Sequence, residues 1–483
     1  MFDTRPVGYV IGLLVAALGV TMFAPMLADL SAGNGHWPVF LESAVITILV
    51  GGLVALACQN GVSSGLNIRQ TFLLTTLVWL ALPLFGSLPF LIGHSELSFT
   101  DAFFEAMSGL TTTGATVMTG IEHLPEGLKL WRAIMQWLGG IGIIVVAMVF
   151  LPELKVGGMQ IFRSEGFDTM GKILPRAAEI SSRISVIYVA ITLACAVCFS
   201  IAGMNSFDAI THAMTTVATG GMANYDSSFG QFGAGPHYVA SVFMILAALP
   251  FVRYVQLISG GGAKPLFVDS QIRTFFVVTF TLVLVMTLWV WRTFHGVSEV
   301  GFREALFNVV SIITGTGFSN ADYMQWGPFA VTMFFFIGLI GGCAGSTACS
   351  VKVFRYQLLF ASIKAQIRRI HSPHGVFTPR YQGRAVGEDV LNSVMAFFVA
   401  FMVAIGVVGV MLAMTGLDFI TSISGAATAL ANVGPGLGNE IGPAGNFAGL
   451  NDAAKWILSF AMLVGRLEIM AVFTVLSLHF WRV

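Results

Sequence analysis

The chain has 483 residues, of which 56% are hydrophobic and 10% charged, with a mean hydropathy of +0.84. Soluble globular proteins carry roughly 25% charged residues, so an ordinary soluble domain is excluded. The formal net charge is zero, which offers no electrostatic basis for a nucleic acid partner.

Taken in order, the apolar runs predict ten crossing helices near residues 7–28, 39–59, 70–92, 131–151, 184–203, 237–259, 274–293, 328–360 (interrupted), 392–415 and 454–480; each needs about 20 mostly apolar residues. The first run is long for a signal peptide and lacks a clear small-residue cleavage site, so it reads as a retained span. Five cysteines (Cys58, Cys195, Cys198, Cys343, Cys349) lie scattered in these runs, an odd number that forms no disulfide framework. Cys195 and Cys198 read as small residues on one helix face. Lys and Arg concentrate in cytoplasmic loops. One side of the predicted topology holds Arg5, Arg69, Lys155, Arg163, Lys172, Arg176, Arg183, Lys264, Arg273, Arg482 and the basic stretch from Lys352 to Arg384. The other holds Lys129, Arg132, Arg292, Arg303 and Lys455. Both termini are therefore expected in the cytosol. The large inner loops, Pro152–Ser182 and Lys352–Asp389, are basic and suited to anionic lipid heads.

Between paired spans lie four segments too short to cross: Asp101–Val117, Asp208–Ala223, Glu304–Ser319 and Thr421–Leu437. Aligned on Gly114, Gly221, Gly317 and Gly434, they agree in several columns. Each begins with Asp101, Asp208, Glu304 or Thr421, followed by Ala102, Ala209, Ala305 or Ser422. Ser108, Thr215, Ser311 and Thr428 share a column, as do Leu110, Val217, Ile313 and Leu430. An initial Asp or Thr suits a helix N-cap, and a first-turn acid complements the helix dipole. About ten helical residues span roughly 15 Å, half the hydrocarbon thickness. The chain then turns irregular through Thr111, Thr112, Thr113 and Gly114; Ala218, Thr219, Gly220 and Gly221; Thr314, Gly315, Thr316 and Gly317; and Ala431, Asn432, Val433 and Gly434. Irregular backbone at membrane depth must be buried in protein or line a water-filled cavity. Four such segments, all entering with one orientation, can ring an axis and offer carbonyl oxygens in place of a cation's hydration shell.

These residues resemble the TrkH/KtrB superfamily of potassium transporters over nearly the whole chain. The resemblance is carried by Asp101-Ala-Phe-Phe-Glu, Ser108-Gly-Leu-Thr-Thr-Thr-Gly-Ala-Thr116, Gln136-Trp-Leu-Gly-Gly-Ile-Gly-Ile-Ile144, Gly157-Gly-Met-Gln160, Gly341-Gly-Cys-Ala-Gly-Ser-Thr347, Asn432-Val-Gly-Pro-Gly-Leu-Gly438 and Gly465-Arg-Leu-Glu468. It implies an all-α membrane protein with ten transmembrane helices. An N-terminal hairpin (1–65) would precede four pore repeats at 66–155, 156–262, 263–370 and 371–483. It further implies that Thr112 and Thr113, Thr219 and Gly220, Gly315 and Thr316, and Asn432 and Val433 hold the ion. Relatives with serine at the first filter glycine tend to admit sodium, so Gly114 favours potassium.

The eighth span breaks at Gly341-Gly-Cys-Ala-Gly-Ser-Thr-Ala-Cys-Ser350. In the family the matching segment is an intramembrane loop that obstructs the pore. Here that makes Gly341, Gly342, Gly345, Ser346 and Thr347 gating candidates. Relatives commonly carry more glycine where this chain has Ala348-Cys349-Ser350. Arg466, near the middle of the last predicted span, needs protein or water around it. It reads as a cation barrier beneath the filter, tethered to the loop; the alternative is a structural pair with Glu468. Arg253 is near enough to the surface to snorkel, and His212, inside a short helix, reads as a buried hydrogen-bonded histidine.

The resemblance implies a bacterial inner-membrane homodimer with one pore per protomer and a TrkA-like cytosolic regulatory subunit. No phosphate-cradling motif occurs in this chain, so no cofactor is expected here and nucleotide (ATP/ADP or NAD) is expected on the partner. The function expected is a gated, channel-like potassium-uptake protein, the alternative being a symporter coupled to protons or sodium. Dispersed histidines and the lack of an HExxH motif argue against an enzyme.

Overall fold

The computed structural model describes residues 3–61, 66–93, 97–146, 158–159 and 177–481 and is nearly all helical. Among these residues seven helices are long and apolar enough to cross a bilayer unbroken: Arg5–Ala32, Trp37–Cys58, Ile68–Ile92, Glu126–Val145, Ser181–Ile201, Ser270–Phe294 and Glu388–Met414. Two further stretches qualify only as bent pairs. Ala234–Ala247 turns by 86° into Phe251–Gly260, and Asp452–Arg466 turns by 110° into Ile469–Leu476. The last predicted span is thus no straight rod: Glu468, at φ 66°, ends its first half, and Arg466 sits at the break rather than mid-helix. The earlier bend falls at Pro250, which has no N–H to continue the ladder and disfavours helix in the residue before it. The predicted eighth span is likewise two helices, Gly327–Gly338 and Val353–His371, with residues 339–352 between them.

Most unbroken spans bury only about a third of their apolar window. The remainder, including Leu49, Leu53, Leu193, Val277, Leu284 and Val403, is exposed on the outside of the bundle. That inverts the soluble pattern and suits a lipid surround. The first two spans pack on each other and are pinned to the rest through buried Asp29. Its carboxylate accepts the Gly127 N–H at 2.6 Å and the Asn34 side-chain amide at 2.7 Å, and lies 3.0 Å from His36 Nδ1. Gly127 contributes one of the unpaired N–H groups that every helix N-terminus leaves free.

Within the basic loop Lys352–Asp389, a two-stranded antiparallel hairpin pairs Arg380 with Ala385 and Tyr381 with Arg384. Tyr381 joins Met159, Ala344, Phe354, Leu358 and Val394 in a small apolar cluster. The Gly158 N–H donates to Ser393 Oγ at 3.1 Å. The rest of the predicted inner loop 152–182, up to Arg176, lies outside the described residues. Arg253 does not snorkel freely: its guanidinium holds Asp269 at 2.7 and 2.8 Å, and that carboxylate also caps the helix starting at Ser270.

Candidate functional site

Four short helices occupy the centre: Phe99–Leu110, Ser206–Val217, Glu299–Ile313 and Phe419–Ala431. Their N-caps are Ser98, Asn205, Ser298 and Asp418, each accepting a backbone N–H of the first turn. The register residues Asp101, Asp208, Glu304 and Thr421 therefore lie inside the helices. Asp101 and Asp208 supply the first-turn charge, whereas in the third helix Glu299 does so and Glu304 sits a turn further on. His212 is buried, with Nδ1 2.9 Å from Asp208 O and Nε2 accepting the Asn224 N–H at 3.3 Å.

All four helices end in the same way. The N–H groups of Thr113, Gly220, Thr316 and Val433 reach back to the carbonyls of Ser108, Thr215, Ser311 and Thr428 at 2.9–3.1 Å. Those of Thr112, Thr219, Gly315 and Asn432 reach Gly109, Thr216, Ile312 and Ala429 at 3.0–3.3 Å. This pair of bonds is the Schellman motif, which demands a left-handed residue after the helix. Thr112, Thr219, Gly315 and Asn432 have φ of 53°, 49°, 76° and 52°. Two residues on, Gly114, Gly221, Gly317 and Gly434 return to φ of 86°, 78°, 85° and 73°. Four segments of different sequence thus share one backbone path, and three of them place a non-glycine at the first left-handed position.

The glycines also show how the segments meet. A Cβ on Gly114 would lie 2.0 Å from Gly220 O, and one on Gly221 would lie 1.9 Å from Thr316 O. On Gly317 it would lie 3.1 Å from Val433 O, and on Gly434 2.9 Å from Thr113 O. Each glycine abuts the residue before the glycine of the next segment, and the fourth abuts the first. The ring closes. Thr111, Ala218, Thr314 and Ala431, at the helix ends, are buried behind it. Thr111 and Thr113 share a hydroxyl bond of 2.7 Å, and Thr314 and Thr316 one of 2.8 Å. Asn432 Nδ2 donates to Thr113 Oγ1 and to Met462 O, both at 2.9 Å.

On one side the four glycines open onto a cavity of about 190 Å³. On the other, beside Asn432, Cys349, Lys352 and Arg466, there is about 20 Å³, room for roughly one water. The loop at 341–350 fills much of that side. Gly341 and Gly345 take left-handed φ of 79° and 76°. Cys343 N–H donates to Ala248 O at 3.0 Å, Thr347 Oγ1 to Ala247 O at 3.1 Å, and Phe251 N–H to Gly345 O at 2.9 Å. Gly342 O accepts the Val353 N–H at 3.0 Å, and Ser346 Oγ donates to Cys343 O at 2.6 Å. Cys349 lies against the ring: its Sγ is 3.6 Å from Thr112 Oγ1, and its Cβ would be 3.4 Å from a Cβ on Gly315.

Arg466 is buried there and donates Nη1 to Cys349 Sγ and Nη2 to Gly139 O at 3.4 Å. It does not pair with Glu468. That carboxylate pairs instead with buried Arg355, whose guanidinium stacks 3.8 Å from the Phe397 ring centroid. Lys352, Arg355 and Arg466 thus group around Glu468 below the ring, a net positive cluster. Sequence reasoning gave a role here only to Arg466 and read Lys352 and Arg355 as part of a basic cytoplasmic loop, whereas both are buried. It also passed over Glu105 and Arg132, a buried ion pair of 2.8 Å behind the first segment. A signal for it existed: an acid in the second turn of a buried helix requires a cation.

A helical bundle that turns apolar side chains outward and closes four re-entrant loops into a ring, blocked on one face, is the frame of a multi-pass membrane transport protein. The chain belongs to the TrkH family, whose model, described as a cation transport protein, matches residues 36–480. It is 41% identical over 480 residues to the Trk system potassium uptake protein TrkI of Halomonas elongata, covering 99% of this chain and 97% of that one. To the Trk system potassium uptake protein TrkH of Vibrio parahaemolyticus it is 38% identical over 485 residues, 99% of each. The crystal structure of the potassium transporter TrkH from Vibrio parahaemolyticus superimposes with a TM-score of 0.90 at 36% identity, over 100% of both chains. The family is one of transporters, not enzymes.

Proposed function

We propose that this chain admits potassium through the central ring, with carbonyl oxygens of residues 111–114, 218–221, 314–317 and 431–434 replacing its water. The observation that carries this reading is the closed sequence of approaches from Gly114 to Gly220, Gly221 to Thr316, Gly317 to Val433 and Gly434 to Thr113. Four equivalent backbone paths around one axis offer oxygens from all sides, as a dehydrated monovalent cation requires. The names of the relatives, potassium uptake proteins of a Trk system, support potassium as the ion and an assembly of several components.

The gate in this reading is the loop Gly341–Ser350 with Arg466. A TrkA-like cytosolic subunit binding the nucleotide would act on it from the basic face, in a homodimer with one pore per protomer. That face would be cytoplasmic in the inner membrane, with both termini on the same side. One elementary charge crossing 100 mV releases about 2.3 kcal/mol, so an inside-negative potential suffices for accumulation without a coupled ion.

The test is reversal potential in liposomes containing the purified chain, with and without the regulatory subunit. A channel reverses at the potassium equilibrium potential whatever the pH or sodium gradient. A reversal displaced by either gradient would establish the symporter instead.

A further inference from the structure

We propose that Gln136 and the Glu105–Arg132 pair are positioning residues that set cation selectivity by fixing the first two segments of the ring; this rests on the potassium-filter reading above. Arg132 and Gln136 stand one turn apart on the span Glu126–Val145, so both face the junction between the first and second segments. Glu105 comes from the first short helix. All three are buried: 0% exposed for Glu105 and Gln136, 2% for Arg132.

Their hydrogen bonds bracket the two glycines. Gln136 Nε2 donates to Gly220 O at 2.6 Å, and its Oε1 accepts the Met222 N–H at 3.0 Å. One amide therefore clamps the residues on either side of Gly221. Glu105 accepts the Thr116 hydroxyl at 3.0 Å and the Val117 N–H at 3.0 Å, just beyond Gly114. Arg132 Nε donates to Glu105 at 2.8 Å, Nη1 to Ala223 O at 2.7 Å, and Nη2 to Thr116 Oγ1 at 3.3 Å. The first segment is thereby tied to the second through a charged fork of fixed geometry.

Stability alone does not account for this arrangement. A buried ion pair gains little over well-packed apolar residues of similar volume, because desolvation offsets the attraction. What such a pair supplies is position. Among the described residues, the second and third junctions are bridged by neutral groups, Phe229 N–H to Ser319 O and Ser319 Oγ to Pro443 O; the fourth has Asn432 to Thr113 at the ring and its charged pair, Lys455 with Asp101 at 2.6 Å, only at the start of the first short helix. The charged strut stands at the junction where Gly114 crowds Gly220 O. A ring braced there resists contracting onto a smaller ion.

The experiment measures the potassium-to-sodium permeability ratio of the full chain in liposomes. Wild type, Gln136→Leu, Arg132→Lys, Gly114→Ser and Leu18→Ala are compared, with thermal melting recorded for each. Leu18→Ala destabilises the N-terminal hairpin, away from the ring, and controls for loss of stability. Gln136→Leu keeps the volume and the ion pair, so it carries the test if Arg132→Lys does not fold. The ratio should fall about tenfold in Gln136→Leu, equivalent to about 1.4 kcal/mol, and fall also in Arg132→Lys, while Leu18→Ala keeps the wild-type ratio. An unchanged ratio in Gln136→Leu overturns the proposal, as does an equal fall in Leu18→Ala. If wild type itself does not discriminate, or Gly114→Ser changes nothing, the filter reading fails; if Gly114→Ser acts and Gln136→Leu does not, the filter reading stands and the positioning proposal fails.

Discussion

Replacing the four ring glycines by serine, one at a time, separates a backbone effect common to all from a crowding that is not. Every one has φ between 73° and 86°, so any side chain there carries about 1–3 kcal/mol of strain. Crowding divides them. A Cβ at Gly114 or Gly221 would approach a neighbouring carbonyl oxygen to 2.0 or 1.9 Å, far inside the 3.0 Å that real Cβ atoms respect. At Gly317 and Gly434 the closest approach is 2.9 Å. In a close-packed interior the first two force a carbonyl to move by about an ångström, whereas the last two need about a tenth of that. Gly220 O, the atom displaced by a side chain at 114, is also the acceptor of the Gln136 amide. The ratio of potassium to sodium permeability in liposomes should therefore fall by about a hundredfold at 114 and 221, and by about tenfold at 317 and 434, each decade being 1.4 kcal/mol. Equal losses at all four positions, or the largest loss at 434, would refute the geometry of the ring.

Arg466→Gln should raise potassium flux. A unit charge placed about 8 Å from an ion, at an effective dielectric near 20, would oppose it by about 2 kcal/mol, which sets a ceiling of about thirtyfold; unchanged tracer uptake would remove the barrier role. Glu468→Gln removes the charge that offsets buried Arg355 and should cost up to about 3–5 kcal/mol, seen as a lower melting temperature that Arg355→Met partly restores; no change in melting would mean the pair is not formed. Asp418, at the N-cap of the fourth short helix, has its acid range lowered by the Thr421 hydroxyl and by the N–H groups of Ile420 and Thr421. A depressed carboxyl contributes stability above its unfolded value and loses it as pH falls through the folded one. Asp418→Asn should therefore lower melting near pH 7, and the gap to wild type should narrow only below about pH 4; a constant gap across pH would contradict this.

The glycine register was legible because four unlike sequences must meet one backbone demand. Only glycine tolerates both the left-handed angle and the close carbonyl at that column, so chance agreement is rare. The caps were equally legible in principle: Ser98, Asn205, Ser298 and Asp418 precede the helices by the usual rule, but the glycine alignment drew attention to Asp101, Asp208 and Thr421, three residues too late, and to Glu304, six too late. Arg132 with Glu105, and Arg355 with Glu468, were beyond pattern reading. Their partners are 27 and 113 residues apart, and no periodicity reports a contact between elements. The bend at Leu249-Pro250 had a proline to announce it; the one at Leu467-Glu468 lies in an unbroken hydropathy signal. There the backbone yields to packing and charge, which a composition window averages away.

Those bends explain how the loop proposed as the gate is held. Breaking the helix at Pro250 frees Ala247 O and Ala248 O, and the loop supplies the Thr347 hydroxyl and the Cys343 N–H that satisfy them, while Gly345 O takes the Phe251 N–H in return. Irregular backbone within the bundle is thereby satisfied by other irregular backbone, the condition for its survival away from water. This fixes residues 343–347. The following residues, Ala348 and Cys349, lie directly beneath the ring, and Cys349 meets its neighbours through sulfur: toward Thr112, the Thr347 carbonyl and Arg466. Thiol contacts are weak beside backbone bonds. In the gate proposed above, the part of the loop that would move to pass an ion is the part held least, and Arg466 would be both its tether and the charge that repels the ion.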